Sequence, residues 1–179
     1  DIGGGTAEIG IISLGGIVYG QSVRIGGDKM DEAIVNYVRK YHNLLIGETT
    51  AERIKMTIGA ACVPENGEDG ETMEVRGRDL ITGVPKEITL NEKQISESLV
   101  EPINKIVEAI KVALESAPPE LSADIVERGI ILSGGSSQIK NLDLVIGKVT
   151  GLPVHVAENP LLCVINGIGQ VLSDFKNLK

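Results

Sequence analysis

The residues best suited to chemistry stand at the start of the chain. Asp1-Ile2-Gly3-Gly4-Gly5-Thr6-Ala7-Glu8 is followed by an apolar run over residues 9–12. Three adjacent glycines leave the backbone bare, so a bulky group can approach its N–H groups. N–H groups exposed in such a turn form a nest for anions, phosphate foremost. Asp1 cannot itself favour a phosphate, because like charges repel. The role open to it is to hold a cation, Mg²⁺ through water, that bridges to the phosphates. Thr6 adds a hydroxyl donor. The same residues also suit a glycine-rich β-turn without a ligand, since single glycine motifs recur in many settings.

A second glycine turn lies far along the chain. Gly129-Ile130-Ile131-Leu132 reads as a short apolar strand running into Ser133-Gly134-Gly135-Ser136-Ser137, with a helix expected from about residue 139 to 150. In α/β folds ligands bind at the carboxyl ends of strands, and a helix N-terminus there favours anions. A tight turn that needs positive φ is the competing reading. Between the two turns, Glu52 and Lys55 sit on one stretch with helical periodicity. By pattern alone they also fit a solvated charged pair worth a few tenths of a kcal/mol.

The elements that must position these residues follow from periodicity and turn chemistry. Residues 7–13 and 17–25 flank Leu14-Gly15-Gly16 and predict a β-hairpin. Met30, Ala33, Ile34, Tyr37, Val38 and Tyr41 recur at helical spacing, with Asp28 as the expected cap. Thr49 and Glu52 fit a capping box for a second helix. Residues 64–70 form a polar loop, and strands are expected over 72–78 and 84–90. Asn91 caps a long amphipathic helix, which Pro102 is expected to kink or restart and Pro118-Pro119 to end. Residues 153–157 read as a strand. The segment from Asn159-Pro160 reads as a helix apolar nearly all round, hence buried, with Gly167 and Gly169 allowing close packing. The tail from residue 173 is expected to fray.

Composition sets limits. The 179 residues suffice for a real core. A net charge of −8 argues against a nucleic-acid partner, and three Tyr, one Phe and no Trp leave little for base stacking. Cys62 and Cys163 match no metal or redox spacing and read as reduced, cytosolic structural thiols. His42 and His155 are isolated. No apolar run reaches the ~18 residues of a membrane span. With no initial methionine and no strand before the glycine turn, the chain reads as one part of a longer protein.

Taken together the motifs are far more specific than singly. The run Asp1 to Thr6 resembles the second phosphate motif of the actin, sugar kinase and Hsp70 superfamily, and Leu132 to Ser136 resembles its adenosine motif. Glu52-Arg53-Ile54-Lys55 resembles the helix that clasps adenosine in Hsp70 and the bacterial actins. Ser22-Val23-Arg24-Ile25-Gly26-Gly27-Asp28, Pro118-Pro119-Glu120-Leu121-Ser122-Ala123-Asp124-Ile125 and Glu158-Asn159-Pro160-Leu161-Leu162-Cys163-Val164 are similar to the bacterial actins that direct rod shape. The resemblance covers the whole chain, but only the second half of such a protein. Ser136-Ser137-Gln138 replaces a more glycine- and alanine-rich turn, and Ile168 stands where the family often has a smaller residue.

The resemblance implies an α/β fold: an actin-like ATPase domain in which an RNase H-like mixed sheet is flanked by helices. Residues 1–30 and 91–179 would form the larger subdomain, and 31–90 a smaller inserted one. It implies ATP/ADP and Mg²⁺ as cofactors. Gly3, Gly4, Gly5 and Thr6 would cradle the β- and γ-phosphates. Asp1 would hold the Mg²⁺ water shell and help order the attacking water. Glu52 and Lys55 would contact ribose and adenine, and Gly134, Gly135 and Ser136 would lie against the adenosine. It further implies head-to-tail and paired filaments at the inner face of the cell membrane, in the cytoplasm. The implied partners are a membrane-anchored helix-turn-helix shape-determining protein and the cell-wall elongation machinery, with membrane contact only through the other half. ATP hydrolysis would belong to the intact protein, and this part alone would bind nucleotide weakly without turning it over. Other superfamily members remain alternatives: magnetosome or plasmid-segregation filaments, an Hsp70-like chaperone, or a sugar or acetate kinase.

Overall fold

The structure is a computed structural model and describes residues 1–63 and 68–174. Most of the loop expected at 64–70, and most of the tail from 173, lie outside the described residues. Strands β1 (Ala7–Ser13) and β2 (Gly16–Val23) form the expected antiparallel hairpin, paired from Ala7 opposite Val23 to Ser13 opposite Gly16, with the register shifting by one residue between Ile11 and Ile12. Its turn puts Leu14 at φ 50° and Gly15 at φ 77°. Two consecutive left-handed residues match the right-handed twist of a hairpin.

Helix α1 (Gly27–His42) follows, then the two-residue strand β3 (Leu44–Leu45) and helix α2 (Glu48–Ile58). Strands β4 (Thr72–Asp79) and β5 (Pro85–Asn91) complete a three-stranded antiparallel sheet in the order β3-β4-β5. Helix α3 (Glu92–Glu115) is the longest element. Short helix α4 (Ser122–Arg128) leads to β6 (Ile130–Leu132), which pairs in parallel with β7 (Val154–Val156) across helix α5 (Leu142–Thr150). Helix α6 (Cys163–Asp174) closes the described chain.

One hydrophobic core joins these layers. Met30 and Ile34 of α1, Ile54 of α2, Leu90 of β5, and Leu99 and Ile106 of α3 are all essentially inaccessible. Each such side chain contributes roughly 1.5–3 kcal/mol by leaving water. That sum explains why α3 runs unbroken through Pro102, against expectation. Pro102 lies on the buried stripe with Leu99 and Ile103, and their burial outweighs the ~3 kcal/mol that an internal proline costs. Asn91 caps α3 as expected. Its side chain accepts from the Gln94 N–H at 2.9 Å, while the Gln94 side chain accepts from the Asn91 N–H at 3.1 Å.

Four local expectations are corrected. Gly26, not Asp28, precedes α1, and Gly47, not Thr49, precedes α2; neither start has a side-chain cap. The helix expected from residue 139 begins at Leu142, after a 3₁₀ turn at Gly135–Gln138. The delay has a cause. Lys140 pairs with Ala60, and the Asn141 amide reaches the Cys62 carbonyl at 2.7 Å with Asn141 at φ 63°, a conformation Asn tolerates. Most consequentially, α6 is not buried. Val164, Ile165, Ile168, Val171 and Leu172 are 50–67% exposed, and a Cβ added to Gly167 or Gly169 would meet nothing within 4 Å.

Candidate functional site

The first glycine turn is held from below. The Ile2 N–H donates to the Ser133 carbonyl at 2.7 Å, and the Ile2 carbonyl accepts from the Ser136 N–H at 3.0 Å. The Gly3 carbonyl accepts from Ser136 Oγ and from the Gly27 N–H, both at 3.0 Å, and the Gly4 carbonyl accepts from the Asp28 N–H at 2.8 Å. Both glycine turns and the start of α1 are thus stitched into one unit. Gly4 and Gly5 are exposed, and among the described residues no hydrogen bond uses their N–H groups. Those donors are available to an anion.

The close approach explains two glycines. Gly134 has φ 84°, and a Cβ there would stand 2.4 Å from the Ile2 carbonyl oxygen. A Cβ on Gly27 would meet Lys55 Nζ and Ser136 Oγ, each at 2.9 Å. The sequence does not single out Gly27; the adjacent pair Gly26-Gly27 is the signal that could have found it.

Two carboxylates flank the phosphate turn. Asp1 Oδ2 accepts from the Ser133 hydroxyl at 2.9 Å. Asp28 Oδ1 lies 3.4 Å from where a Cβ on Gly4 would sit. Among the described residues there is no cluster of three or more His, Cys, Asp or Glu fit to cage a metal. Two hard oxygen donors beside an anion nest instead suit Mg²⁺, which keeps most of its waters and shares itself with phosphate. Asp1 and Asp28 are the residues that would hold it.

Lys55, on α2, donates to the Gly27 carbonyl at 3.1 Å and to Asp31 Oδ2 at 2.9 Å. Lys55 and Asp31 keep only 10% and 12% of their side-chain surface exposed. Asp31 Oδ1 has no partner. Burial raises the Asp31 carboxyl above its ordinary value, and the Lys55 ammonium opposes that shift. The sequence does not single out Asp31, whose place in the first turns of α1 the helix dipole already accounts for.

A cleft of about 520 Å³ joins these parts, lined among others by Gly4, Asp28, Glu52, Lys55, Gly135 and Ser136. That volume lies in the range of small-molecule sites. Of the ten motif residues, Gly4, Glu52, Lys55, Gly135 and Ser136 line the cleft. Asp1, Gly3, Gly5, Thr6 and Gly134 belong to the two turns behind it and do not line it. Beyond the second turn the cleft reaches Glu92, which is buried at the start of α3. Glu92 Oε2 accepts from Lys140 Nζ at 2.8 Å, while Oε1 has no partner. A wider groove of about 700 Å³ between α1 and α3, lined by Tyr37, Lys40, Glu97 and Glu101, carries none of the motif residues.

Fold comparison defines the class as an actin-like α/β domain. The chain is similar to the MreB5 of Spiroplasma citri bound to AMPPNP, with TM-score 0.92 and 36% identity over 98% of this chain and 52% of that one. The MamK double helical filament shares the fold at TM-score 0.73 and 21% identity, over 90% of this chain and 49% of that one. The model of the MreB/Mbl protein family matches residues 1–179, and the chain belongs to that family. It is 55% identical over 172 residues to the cell shape-determining protein MreB of Escherichia coli K12, covering 96% of this chain and 49% of the relative. To the cell shape-determining protein Mbl of Bacillus subtilis 168 it is 45% identical over 178 residues, covering 99% and 53%. The chain therefore spans about half the length of the curated relatives it matches.

Proposed function

We propose that this chain is the nucleotide-binding half of an ATP-dependent, actin-like cytoskeletal protein that assembles into filaments and directs rod cell shape and wall elongation. The observation that carries the reading is the convergence of three sequence-distant motifs. Ser136 Oγ touches the Gly3 carbonyl, and Lys55 Nζ touches the Gly27 carbonyl one hydrogen bond further on.

In this reading the free N–H groups of Gly4 and Gly5, with the Thr6 hydroxyl, receive the β- and γ-phosphates. Glu52 and Lys55 take the ribose side, and Gly134, Gly135 and Ser136 form the wall against the adenosine. When bound, Mg²⁺ supplies positive charge that offsets charge developing on the phosphates. Asp1 and Asp28 position it and its water, and the Ser133 hydroxyl keeps the Asp1 carboxylate fixed. Hydrolysis needs a group on the far side of the nucleotide, contributed by the rest of the intact protein. The exposed apolar face of α6, which follows the 3₁₀ turn carrying the cleft residue Leu161, is where that remainder would pack.

We divide the chain as a larger subdomain (1–30 and 91–179) and a smaller insert (31–90). The larger is the docking surface for a membrane-anchored helix-turn-helix shape-determining protein, with the filament lying at the inner face of the cell membrane. No described helix is long and apolar enough to cross a membrane. Sedimentation of the full-length protein at rising concentration with Mg-ATP, followed by electron microscopy, tests the reading. Paired protofilaments, lost on Asp1→Ala, are expected. A monomer that still hydrolyses ATP would move the assignment to the kinase or chaperone branches of the superfamily.

A further inference from the structure

Two buried carboxylate oxygens on cleft residues have no hydrogen-bond partner, Asp31 Oδ1 and Glu92 Oε1. Asp31 already answers Lys55 beside the first glycine turn. Glu92 stands at the other end of the cleft, where neither the glycine turns nor the Lys55–Asp31 pair makes use of it. It is the first residue of α3 and only 1% exposed. Its Oε2 accepts from Lys140 Nζ at 2.8 Å and from the Glu71 N–H at 3.4 Å. Oε1 accepts from nothing among the described residues. A buried acceptor left unmet is costly, and buried polar groups in folded proteins are almost always paired. An orphan on the wall of a cleft therefore marks a contact that a ligand completes.

The place of Glu92 decides which part of a ligand meets it. Gly4 and Asp28 mark the phosphate end of the cleft. Lys55 and Ser136 follow, through their bonds to the Gly27 and Gly3 carbonyls. From Lys55, helix α2 and its cap carry the wall on to Gly59, roughly 6 Å along the helix axis. The next residue, Ala60, bridges to Lys140, which holds Glu92. That span matches the width of a purine base beyond the ribose. The walls there suit a flat ring. Met56 of α2 lines the cleft and is 78% exposed, and Gln138 lines it from the 3₁₀ turn. A polarisable thioether makes favourable contacts with aromatic rings.

With Oε2 taken, Glu92 has one oxygen to offer. Guanine presents two adjacent N–H donors, which call for both oxygens of a carboxylate, whereas adenine presents a single exocyclic amine. We infer that Glu92 reads the base of the bound nucleotide, its Oε1 accepting from the exocyclic amine of adenine and selecting ATP over purine nucleotides without that amine. The inference rests on the nucleotide reading above and names its base-specificity residue. Lys140 is the movable part of this end. Its side chain is 49% exposed, and Nζ lies 4.0 Å from Glu71 Oε1. A shift of Lys140 toward Glu71 admits the edge of the base to Oε1.

The test is calorimetric titration of the full-length protein with Mg-ATP and with the Mg²⁺ complex of purine riboside triphosphate, which differs from ATP only in lacking the amine. The wild type should bind ATP at least tenfold more tightly, because a site built to pair an N–H rejects a ligand without it. In Glu92→Ala the two affinities should come within about twofold of each other. Glu92→Gln keeps the size of the side chain but gives its single oxygen to Lys140, so it should lose the preference as well. The ratio of the two affinities decides, because a merely structural role would weaken both ligands alike and leave the ratio unchanged. Equal binding of the two by the wild type would overturn the assignment. So would a preference that survives in both variants, or tighter binding of GTP than of ATP by the wild type. A folded wild type that binds none of these triphosphates would overturn the nucleotide reading itself.

Discussion

Lys55 Nζ sits 2.9 Å from Asp31 Oδ2 and 3.1 Å from the Gly27 carbonyl. The pair joins α2 to α1 beside the cleft, and it sets the position of an ammonium that lines the cleft. A nearly buried ion pair of this kind is stabilising mainly in the sense that breaking it is costly.

Lys55→Met should cost about 3 kcal/mol of stability at neutral pH, because Asp31 is left as an unpaired buried carboxylate. Without Lys55 the burial effect on Asp31 acts unopposed and its pKa rises further. The folded state then holds a proton that the unfolded chain has released. The penalty should shrink as pH falls from 7 toward 4 and grow as pH rises through the folded pKa. Asp31→Asn added to Lys55→Met should remove that pH dependence. Thermal melts of both variants across this range check the sign.

Asp79 provides the opposite case. The N–H groups of Thr82 and Ile81, with Lys86, hold its carboxyl down to about 2. Its contribution is present above the ordinary value of 3.8 and is lost as pH falls through about 2. The melting-temperature gap between wild type and Asp79→Asn should be constant above pH 5 and close progressively below pH 4.

Glu92 ties the start of α3 to Lys140 at the far end of the cleft. Glu92→Ala should destabilise by about 2 kcal/mol, in line with loss of a hydrogen bond to a charged group. Lys140 is 49% exposed, so it can rehydrate and adds little to the loss. Denaturant unfolding measures the difference.

Gly134→Ala should be more damaging than an ordinary glycine substitution. The added Cβ meets the Ile2 carbonyl at 2.4 Å, and φ 84° strains any L side chain. Because Ile2 adjoins Gly3, the phosphate turn must shift, so nucleotide affinity should fall at least tenfold alongside stability. Gly83→Ala serves as the control: it has φ 75° but open space around its Cβ, and it should lower stability alone.

The two hairpins, α1, α2 and α3 were legible in the sequence because each carries one dominant period and clear turn residues. Asn91 was legible as the cap of α3, while its reciprocal partner Gln94 was not. Pro102 misled because local propensity says nothing about how much core a helix face will bury. The late start of α5 came from the Lys140–Ala60 pairing, a contact between segments 80 residues apart that no local pattern encodes. Helix α6 was read as buried because it is apolar on most sides. In the structure its apolar residues stay largely exposed and mark a surface rather than a core. Within the site, the glycine turns announced themselves by composition. Asp31 and Glu92 did not, since an acidic residue in the first turn of a helix has an ordinary explanation in the helix dipole.

Calorimetric titration of Mg-ATP into the full-length protein, wild type against Glu52→Ala, bears most directly on the central claim. Glu52 is exposed, lines the cleft and holds no structural bond among the described residues, so its loss should leave folding intact. Binding by the wild type and a tenfold or greater loss in the variant is the predicted result. Equal affinity in the two proteins, with both folded, would contradict the placement of the nucleotide in this cleft.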